Sequence, residues 1–170
     1  GTSGDLALKP EITAPGGNIY SVDGTVSATD RYHTYSGTSM AAPQIAGVTA
    51  VVKQFIREQE LVEKTGLTER QLTQSLIMST AVPLKDKDGN YYPVIQQGAG
   101  LVNGVGAVSA ESYIVMNNAY LTDKDSGKVK AELGDDPSRT GVYEFNFRLY
   151  NTTDAVKSYT SIEFAPLNFI

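Results

Sequence analysis

The chain has no cysteine among its 170 residues, so a disulfide, a thiol nucleophile and a thiolate metal site are all excluded. Long apolar runs are also missing: a stretch such as residues 45–52, IAGVTAVV, is far too short to span a bilayer. Positive charge is scarce, because 14 lysine and arginine residues face 19 aspartate and glutamate residues, which gives a net charge of -5. We therefore expect no transmembrane segment and no nucleic-acid partner.

The composition that remains is that of a globular protein. Hydrophobic residues make up 41% of the chain and charged residues 19%, which argues against disorder. No basic-then-apolar signal segment opens the chain, and its first residues already resemble the middle of a domain. We expect it to be a piece of a longer protein.

Turns and a long helix dominate the first part of the chain. Residues 1–34 are rich in Gly, Pro, Ser, Thr and Asp, which predicts turns between short strands, with an apolar strand ahead of the Pro-Gly-Gly turn at 15–17. Residues 38–58 have almost no polar face in their first three turns. They predict a helix that is buried there.

Two further helices are predicted after residue 60. Thr68 is followed three positions later by Gln71, which is the pattern of a capping box at a helix start. Proline disfavours helical geometry in the residue before it, so this helix should end ahead of Pro83. The Gly-rich stretch at 96–110 predicts a short helix over 103–110.

The sequence pattern changes from helical to strand-like after about residue 112. The runs YIVMNNAYL (113–121), GKVKAEL (127–133) and GVYEFNFRLYN (141–151) are strand-like, and the last two alternate apolar with polar residues, the period of a half-buried strand. In the third run, Tyr143, Phe145, Phe147 and Leu149 share one face, which we expect to be the more buried one. We expect a domain break between residues 108 and 120, followed by an antiparallel β-domain.

The stretch YSGTSMAAPQIAG, residues 35–47, carries the candidate chemistry. Ser39 falls at the first turn of the predicted helix, where amide N–H groups lack internal partners and the helix dipole favours negative charge. An oxyanion that formed there would be stabilised. Pro43 has no N–H, so the Ser39 carbonyl loses its helical partner. We expect the Ser39 hydroxyl to face solvent.

Two structural readings of this stretch stay open on the residues alone. Serine and threonine are common helix N-caps, so Gly-Thr-Ser before an apolar helix can be capping and nothing more. A phosphate cradle is the other reading, although the stretch lacks the lysine and the glycine spacing of a P-loop.

The longer string SGTSMAAPQIAG resembles the nucleophile motif of the subtilases, the subtilisin-like serine endopeptidases. Two more stretches resemble family motifs in the same order: LKPEITAPGGNIYS (8–21) ahead of the serine, and GAGLVNGVGAV (98–108) at the end of the catalytic domain. LTQSLIMSTA (72–81) fits the helix between them. The resemblance covers residues 9 to about 110, and three ordered matches are far more specific than one.

The resemblance implies that Ser39 is the catalytic nucleophile, with its backbone N–H as an oxyanion donor. Substrate-binding residues would be Tyr35, Ser36, Gly37 and Thr38, which run beside the peptide near the acyl side of the scissile bond. The subtilase triad comes in the order Asp, His, Ser, so the other two members are expected upstream of this chain. No cofactor and no metal are expected.

Several polar residues are not assigned to catalysis. His33 lacks the sequence context of the family's catalytic histidine, and we expect it in a loop at the rim, without a bond to the Ser39 hydroxyl. Asn18, Asn90 and Asn103 do not match the family's oxyanion asparagine, which lies further upstream. Gln44 stands where many subtilases have a histidine outside the triad.

The implied fold is α/β. Residues 1–112 would be the C-terminal part of a subtilisin-like, three-layer domain with a parallel sheet, and residues 113–170 an incomplete fibronectin-III-like β-sandwich. This arrangement resembles the lactocepin and C5a-peptidase type of cell-envelope protease. It implies a protein or peptide substrate, the upstream half of the same protease domain as a partner, and a secreted or cell-wall location in a Gram-positive bacterium. A peptide-binding pseudo-enzyme and an adhesion module are the alternatives.

Overall fold

Five helices and four strands make up the part of the chain that the structure describes. The structure is a computed structural model, and it describes residues 7–24, 31–117, 127–131, 133, 135–163 and 165. In chain order the elements are β1 (Ile19–Val22), β2 (Tyr32–Tyr35), α1 (Thr38–Glu58), α2 (Leu61–Thr65), α3 (Glu69–Ser79), α4 (Val94–Gln97), α5 (Gly104–Val108), β3 (Ser112–Asn117) and β4 (Asn146–Asn151).

Helix α1 confirms the predicted helix over 38–58, but the expectation that its first three turns are buried is wrong. Val52 and Ile56, both in the second half of α1, are its fully buried residues. Ala42, Ala46 and Val51 are exposed. A helix that is apolar all round is buried only where other elements cover it, and among the described residues the fully buried positions of α1 lie in its C-terminal half.

The capping box at the start of α3 is confirmed. The Thr68 hydroxyl accepts a hydrogen bond from the Gln71 N–H (3.2 Å), and the Gln71 side chain accepts one from the Thr68 N–H (2.8 Å). The helix ends at Ser79, ahead of Pro83 as expected. The predicted short helix is also present as α5, where Asn103 accepts a hydrogen bond from the Gly106 N–H.

The core lies between α1, α3, α5 and β3. Leu72 and Leu76 on α3 are completely buried, and they pack with residues from the other three elements. The buried cluster consists of Val52, Ile56, Leu61, Leu67, Leu72, Leu76, Ile77, Ala107, Tyr113 and Val115. Tyr113 and Val115 show that strand β3 packs on the helices.

The strands of the first part form an antiparallel hairpin. β1 pairs with β2 in a register that sets Ile19 opposite Tyr35. The apolar strand expected ahead of the Pro-Gly-Gly turn is not formed as an element of the described residues. In its place Thr13 makes a single parallel bridge with Leu101.

The second strand pair, β3 with β4, corrects the expected burial of the aromatic face. Tyr113 faces the helices and pairs with Tyr150, so this register turns Tyr150 inward and the neighbouring Phe147 and Leu149 outward. The four residues expected to be buried are 46%, 57%, 46% and 45% exposed (Tyr143, Phe145, Phe147 and Leu149). Tyr143 and Phe145 lie ahead of β4, and the intervening polar residues are exposed as well, so the alternation did not predict which side is buried.

The predicted strands of the second part are shorter than expected. The strand over 141–151 is formed at Asn146–Asn151, while residues 127–131 are not in a strand. Residues 118–126 and 132 lie outside the described residues, so the predicted strands over 113–121 and 127–133 are described only in part. None of the described helices is both long enough and apolar enough to cross a membrane.

Candidate active site

Ser39 is the second residue of α1, and its side chain is exposed, as the sequence predicted. The N-cap of the helix is Gly37, which has no side chain and adopts φ 153° and ψ 170°. No side chain among the described residues caps this helix. The capping interpretation of Gly-Thr-Ser therefore does not hold, because neither hydroxyl has the role of an N-cap.

The amides of the first turn leave the helix start electropositive. The N–H groups of Met40 and Ala41 both donate to the Gly37 carbonyl, over 3.0 and 3.4 Å. The N–H groups of Thr38 and Ser39 have no carbonyl acceptor within the helix, because they lie at its very start. The helix dipole adds partial positive charge at the same end. A negatively charged oxygen next to Ser39 would be stabilised by both effects.

Pro43 lies inside α1 without ending it. It offers no N–H to the carbonyl of Ser39, so one hydrogen bond of the second turn is missing. The first turn is therefore held less firmly from within the helix than an ordinary first turn.

A turn ahead of β1, residues Pro15–Asn18, supports this helix start from outside. The Gly37 N–H donates to the Gly16 carbonyl (2.7 Å), and the Asn18 N–H donates to the Ser36 hydroxyl (2.8 Å). Gly16 is required here, because a Cβ at this position would lie 2.7 Å from the Gly37 oxygen and 3.3 Å from the Cβ of Ala41. The Pro-Gly-Gly turn thus fixes the loop that leads into the serine.

Gln44 is the residue of this site that sequence reasoning missed. Its amide nitrogen donates to the Pro15 carbonyl over 2.6 Å and lies 3.3 Å from the Met40 carbonyl. The family motif places Gln44 outside the triad and so gives it no role. A polar side chain among the small apolar residues of α1 was the available signal.

Tyr35 ends strand β2, two residues before the helix cap. Its hydroxyl donates to the Asp23 carboxylate over 2.7 Å, and this hydrogen bond, with the charge of Asp23, raises the pKa of Tyr35. The phenol therefore stays protonated, and the bond ties β2 to the end of β1.

The four residues expected at the substrate lie together and exposed beside Ser39. They are Tyr35, Ser36, Gly37 and Thr38, and they run from the last residue of β2 into α1. Within this group the Ser36 hydroxyl accepts a hydrogen bond from the Asn18 N–H, so this side chain also stabilises the loop.

The other polar residues considered from the sequence lie elsewhere. His33 is half-buried on β2 opposite Ser21, not in a loop, and its ring centroid is 6.2 Å from that of Tyr35. Asn103 caps α5, and the side chain and N–H of Asn90 bind Asp86. Over the residues that the structure describes, no group of three or more histidine or acidic side chains could hold a metal ion.

Comparison with known proteins agrees with the motifs at this site. The model of the subtilase family, peptidase S8, matches residues 1–130. The chain belongs to the subtilase family. It is 42% identical over 112 residues to the minor extracellular protease Vpr of Bacillus subtilis, a match that covers 63% of the chain and 12% of that protein.

Two other relatives match across more of the chain. The chain is 35% identical over 181 residues to the PI-type proteinase of Lactococcus lactis subsp. cremoris, covering 95% of the chain and 9% of that protein. It is 33% identical over 156 residues to the C5a peptidase of Streptococcus pyogenes serotype M6, covering 91% of the chain and 12% of that protein. The chain thus spans about a tenth of the length of these relatives.

Proposed function

We propose that this chain carries the nucleophile of a serine endopeptidase that cleaves proteins through an acyl-enzyme on Ser39. The observation that carries the proposal is an exposed serine at the open, uncapped start of α1 in a chain that belongs to the subtilase family. The protease names of the relatives agree with it.

The reaction follows from the position of Ser39. Its Oγ attacks the substrate carbonyl, a histidine removes the hydroxyl proton, and the carbonyl oxygen becomes an oxyanion beside the Ser39 N–H. Collapse of this intermediate expels the amine, which takes the proton from the histidine, and water then hydrolyses the ester. Tyr35, Ser36, Gly37 and Thr38 border the substrate near the acyl side of the scissile bond.

The histidine and the aspartate that orients it are proposed to come from the upstream half of the same protease domain. His33 is not proposed as the base. Ala42 and Ala46, four residues apart, form an exposed apolar face of α1, and Val51 is exposed on another side. This supports the partner, because a helix so apolar is stable when both sides are covered. The upstream half would cover that face and complete a three-layer domain with a parallel sheet.

Residues 113–170 are proposed to begin a fibronectin-III-like β-sandwich, with the peptidase part ending at residue 112. The exposed side chains of Tyr143, Phe145, Phe147 and Leu149 support this, because a second sheet would bury them. For the whole protein we propose a secreted or cell-wall location in a Gram-positive bacterium, in line with the extracellular protease among its relatives.

The test compares three proteins: the longer protease that contains this chain, its Ser39→Ala variant, and the isolated chain. The longer protease should hydrolyse casein and react with a fluorophosphonate, while Ser39→Ala should do neither. The isolated chain should be inactive, since a serine without a base is a poor nucleophile at neutral pH.

The matched control is Ser109→Ala, which removes an exposed serine hydroxyl at the end of α5 and should leave activity unchanged. Activity that survives Ser39→Ala would remove the serine-protease proposal. A longer protein that binds peptides without cleaving them would favour a binding module, and labelling of the isolated chain at Ser39 would show that it carries a base of its own.

A further inference from the structure

We infer that Gln44 is a positioning residue for Ser39: its side-chain amide holds the first turns of α1 against the Pro15–Asn18 turn and so keeps the nucleophile in place. This inference rests on the proposed function, because it assigns Gln44 a role in the acylation of Ser39. In this role Gln44 acts through the helix start, where its amide contacts the carbonyls of Pro15 and Met40.

The first step of the argument is the weakness of the helix start. Gly37 provides no side-chain cap, and Pro43 removes the N–H that would bind the Ser39 carbonyl. A first turn without these two interactions opens more readily than an ordinary one, because its amides and carbonyls find few partners within the helix. Ser39 lies in this turn, so its position depends on contacts from outside the helix.

The second step is the set of contacts that the Pro15–Asn18 turn makes. Two of them hold the loop ahead of the helix: the Gly37 N–H donates to the Gly16 carbonyl, and the Asn18 N–H donates to the Ser36 hydroxyl. The third comes from Gln44, whose amide nitrogen lies 2.6 Å from the Pro15 carbonyl. Gln44 is thus the side chain of α1 that joins the helix itself to this turn.

The third step is the place of Gln44 along the helix. It follows Pro43 directly and lies one turn after Met40, whose carbonyl its amide also approaches at 3.3 Å. Its two contacts therefore bridge the segment in which the backbone hydrogen bond of Ser39 is missing. A misplacement of reacting atoms by about 1 Å can cost a factor of 10² in rate, so a loosened first turn should slow acylation measurably.

The experiment uses the longer protease with three substitutions. Gln44→Met keeps the length and removes the donor, while Gln44→His keeps a donor. Gln54→Met is the matched control, because Gln54 is an exposed glutamine of the same helix that donates to Glu58 (2.8 Å), away from the turn. Each is assayed for kcat and KM on a peptide substrate, for the rate of fluorophosphonate labelling, and for Tm.

Gln44→Met should lower kcat and the labelling rate by about tenfold with KM little changed, because the loss concerns the position of the nucleophile and not substrate binding. Gln44→His should recover most of the rate, Gln54→Met should equal wild type, and Tm should be nearly the same in all three, since the bond is at the surface.

The inference is overturned if Gln44→Met matches Gln54→Met, if KM alone changes, or if Gln44→His loses as much rate as Gln44→Met. A Gln44→Met variant whose Tm falls clearly together with its rate would also overturn the inference, because Gln44 would then have a purely structural role. The Ser39→Ala variant distinguishes failure of the proposed function from failure of this inference. Full activity of Ser39→Ala refutes the proposed function. If Ser39→Ala is inactive while Gln44→Met has the wild-type rate, only the inference about Gln44 is refuted.

Discussion

The backbone N–H of Ile114 on β3 donates to the hydroxyl of Ser79 on α3, over 2.9 Å. The carbonyl of the same residue accepts a hydrogen bond from Ser75, one helical turn earlier. β3 therefore uses one edge to pair with β4, and at Ile114 its other edge is bound by two serines of a helix. Since an open strand edge tends to pair with another chain, the two hydroxyls protect this one.

Replacing Ser75 by alanine should destabilise the fold by about 1–3 kcal/mol, because Ser75 is completely buried and its loss leaves the Ile114 carbonyl without this donor. Urea unfolding of the chain measures the difference. Ser109→Ala is the control: its hydroxyl binds the Val105 carbonyl at the surface, and its effect should stay within about 0.5 kcal/mol. Equal effects of the two variants would show that the contact to β3 contributes nothing.

Leu76 and Leu149 should respond differently to truncation. Leu76→Ala should cost about 2–5 kcal/mol, because Leu76 is fully buried in the core between α1 and α3. Leu149→Ala should cost less than about 1 kcal/mol in the isolated chain, where that side chain is 45% exposed.

In the longer protein the cost of Leu149→Ala should rise toward that of Leu76→Ala, if further strands cover the face as proposed. Urea midpoints of both variants in both proteins test this. A Leu149→Ala effect that stays small in the longer protein would contradict the fibronectin-III-like sandwich.

Local signals in the sequence predicted helices α1, α3 and α5 of this fold, whereas α2 and α4 were not predicted. The Thr68 and Gln71 pair fixed the start of α3, and Asn103 lies at the start of the short helix expected after residue 102. Such caps depend on residues within one turn, so a sequence contains everything needed to recognise them.

Burial was harder to predict because it depends on neighbours that the local sequence does not specify. The apolar pattern of α1 and the alternation through Phe147 both marked faces suited to burial, yet both are exposed in the described residues. In the site, motif order located Ser39, whereas the bond from Gln44 to Pro15 joins residues 29 positions apart, so a polar residue in an apolar helix gave no indication of its partner.

The ionised carboxylate of Glu11 should stabilise the chain at neutral pH, and this stabilisation should be lost at acidic pH. Burial of this carboxyl group by itself would raise its pKa, but hydrogen bonds from Lys9 and Lys128, with the charges of the same two groups, lower the pKa from 4.5 to about 2. A pKa lowered by folding stabilises the fold above the unfolded value. That contribution is lost as the pH falls from about 4.5 toward 2.

Glu11→Gln should therefore lower the free energy of unfolding at neutral pH, and the gap to wild type should close as the pH falls through this window. Urea midpoints measured from pH 7 to pH 2 follow it. Glu63→Gln, at an exposed position on α2, is the control for loss of a surface carboxylate. If the difference in stability between wild type and Glu11→Gln stays constant with pH, Lys9 and Lys128 do not lower the pKa of Glu11 in the folded state.

Gly16 and Gly17 offer the sharpest test of how the turn supports the serine. A Cβ at Gly16 would lie 2.7 Å from the Gly37 carbonyl oxygen, whereas a Cβ at Gly17 would meet no atom within 4 Å. The Gly37 carbonyl accepts from the Met40 and Ala41 amides, so pushing it away moves the first turn of α1 and Ser39 with it.

In the longer protease, Gly16→Ala should slow fluorophosphonate labelling by about tenfold or more, because a shift of about 1 Å at the nucleophile is costly. Gly17→Ala should label at the wild-type rate, since the two variants add the same methyl group to adjacent residues of one turn. Thermal unfolding of both variants shows whether the protein is folded at the assay temperature. Equal labelling rates would mean that the Pro15–Asn18 turn does not position Ser39.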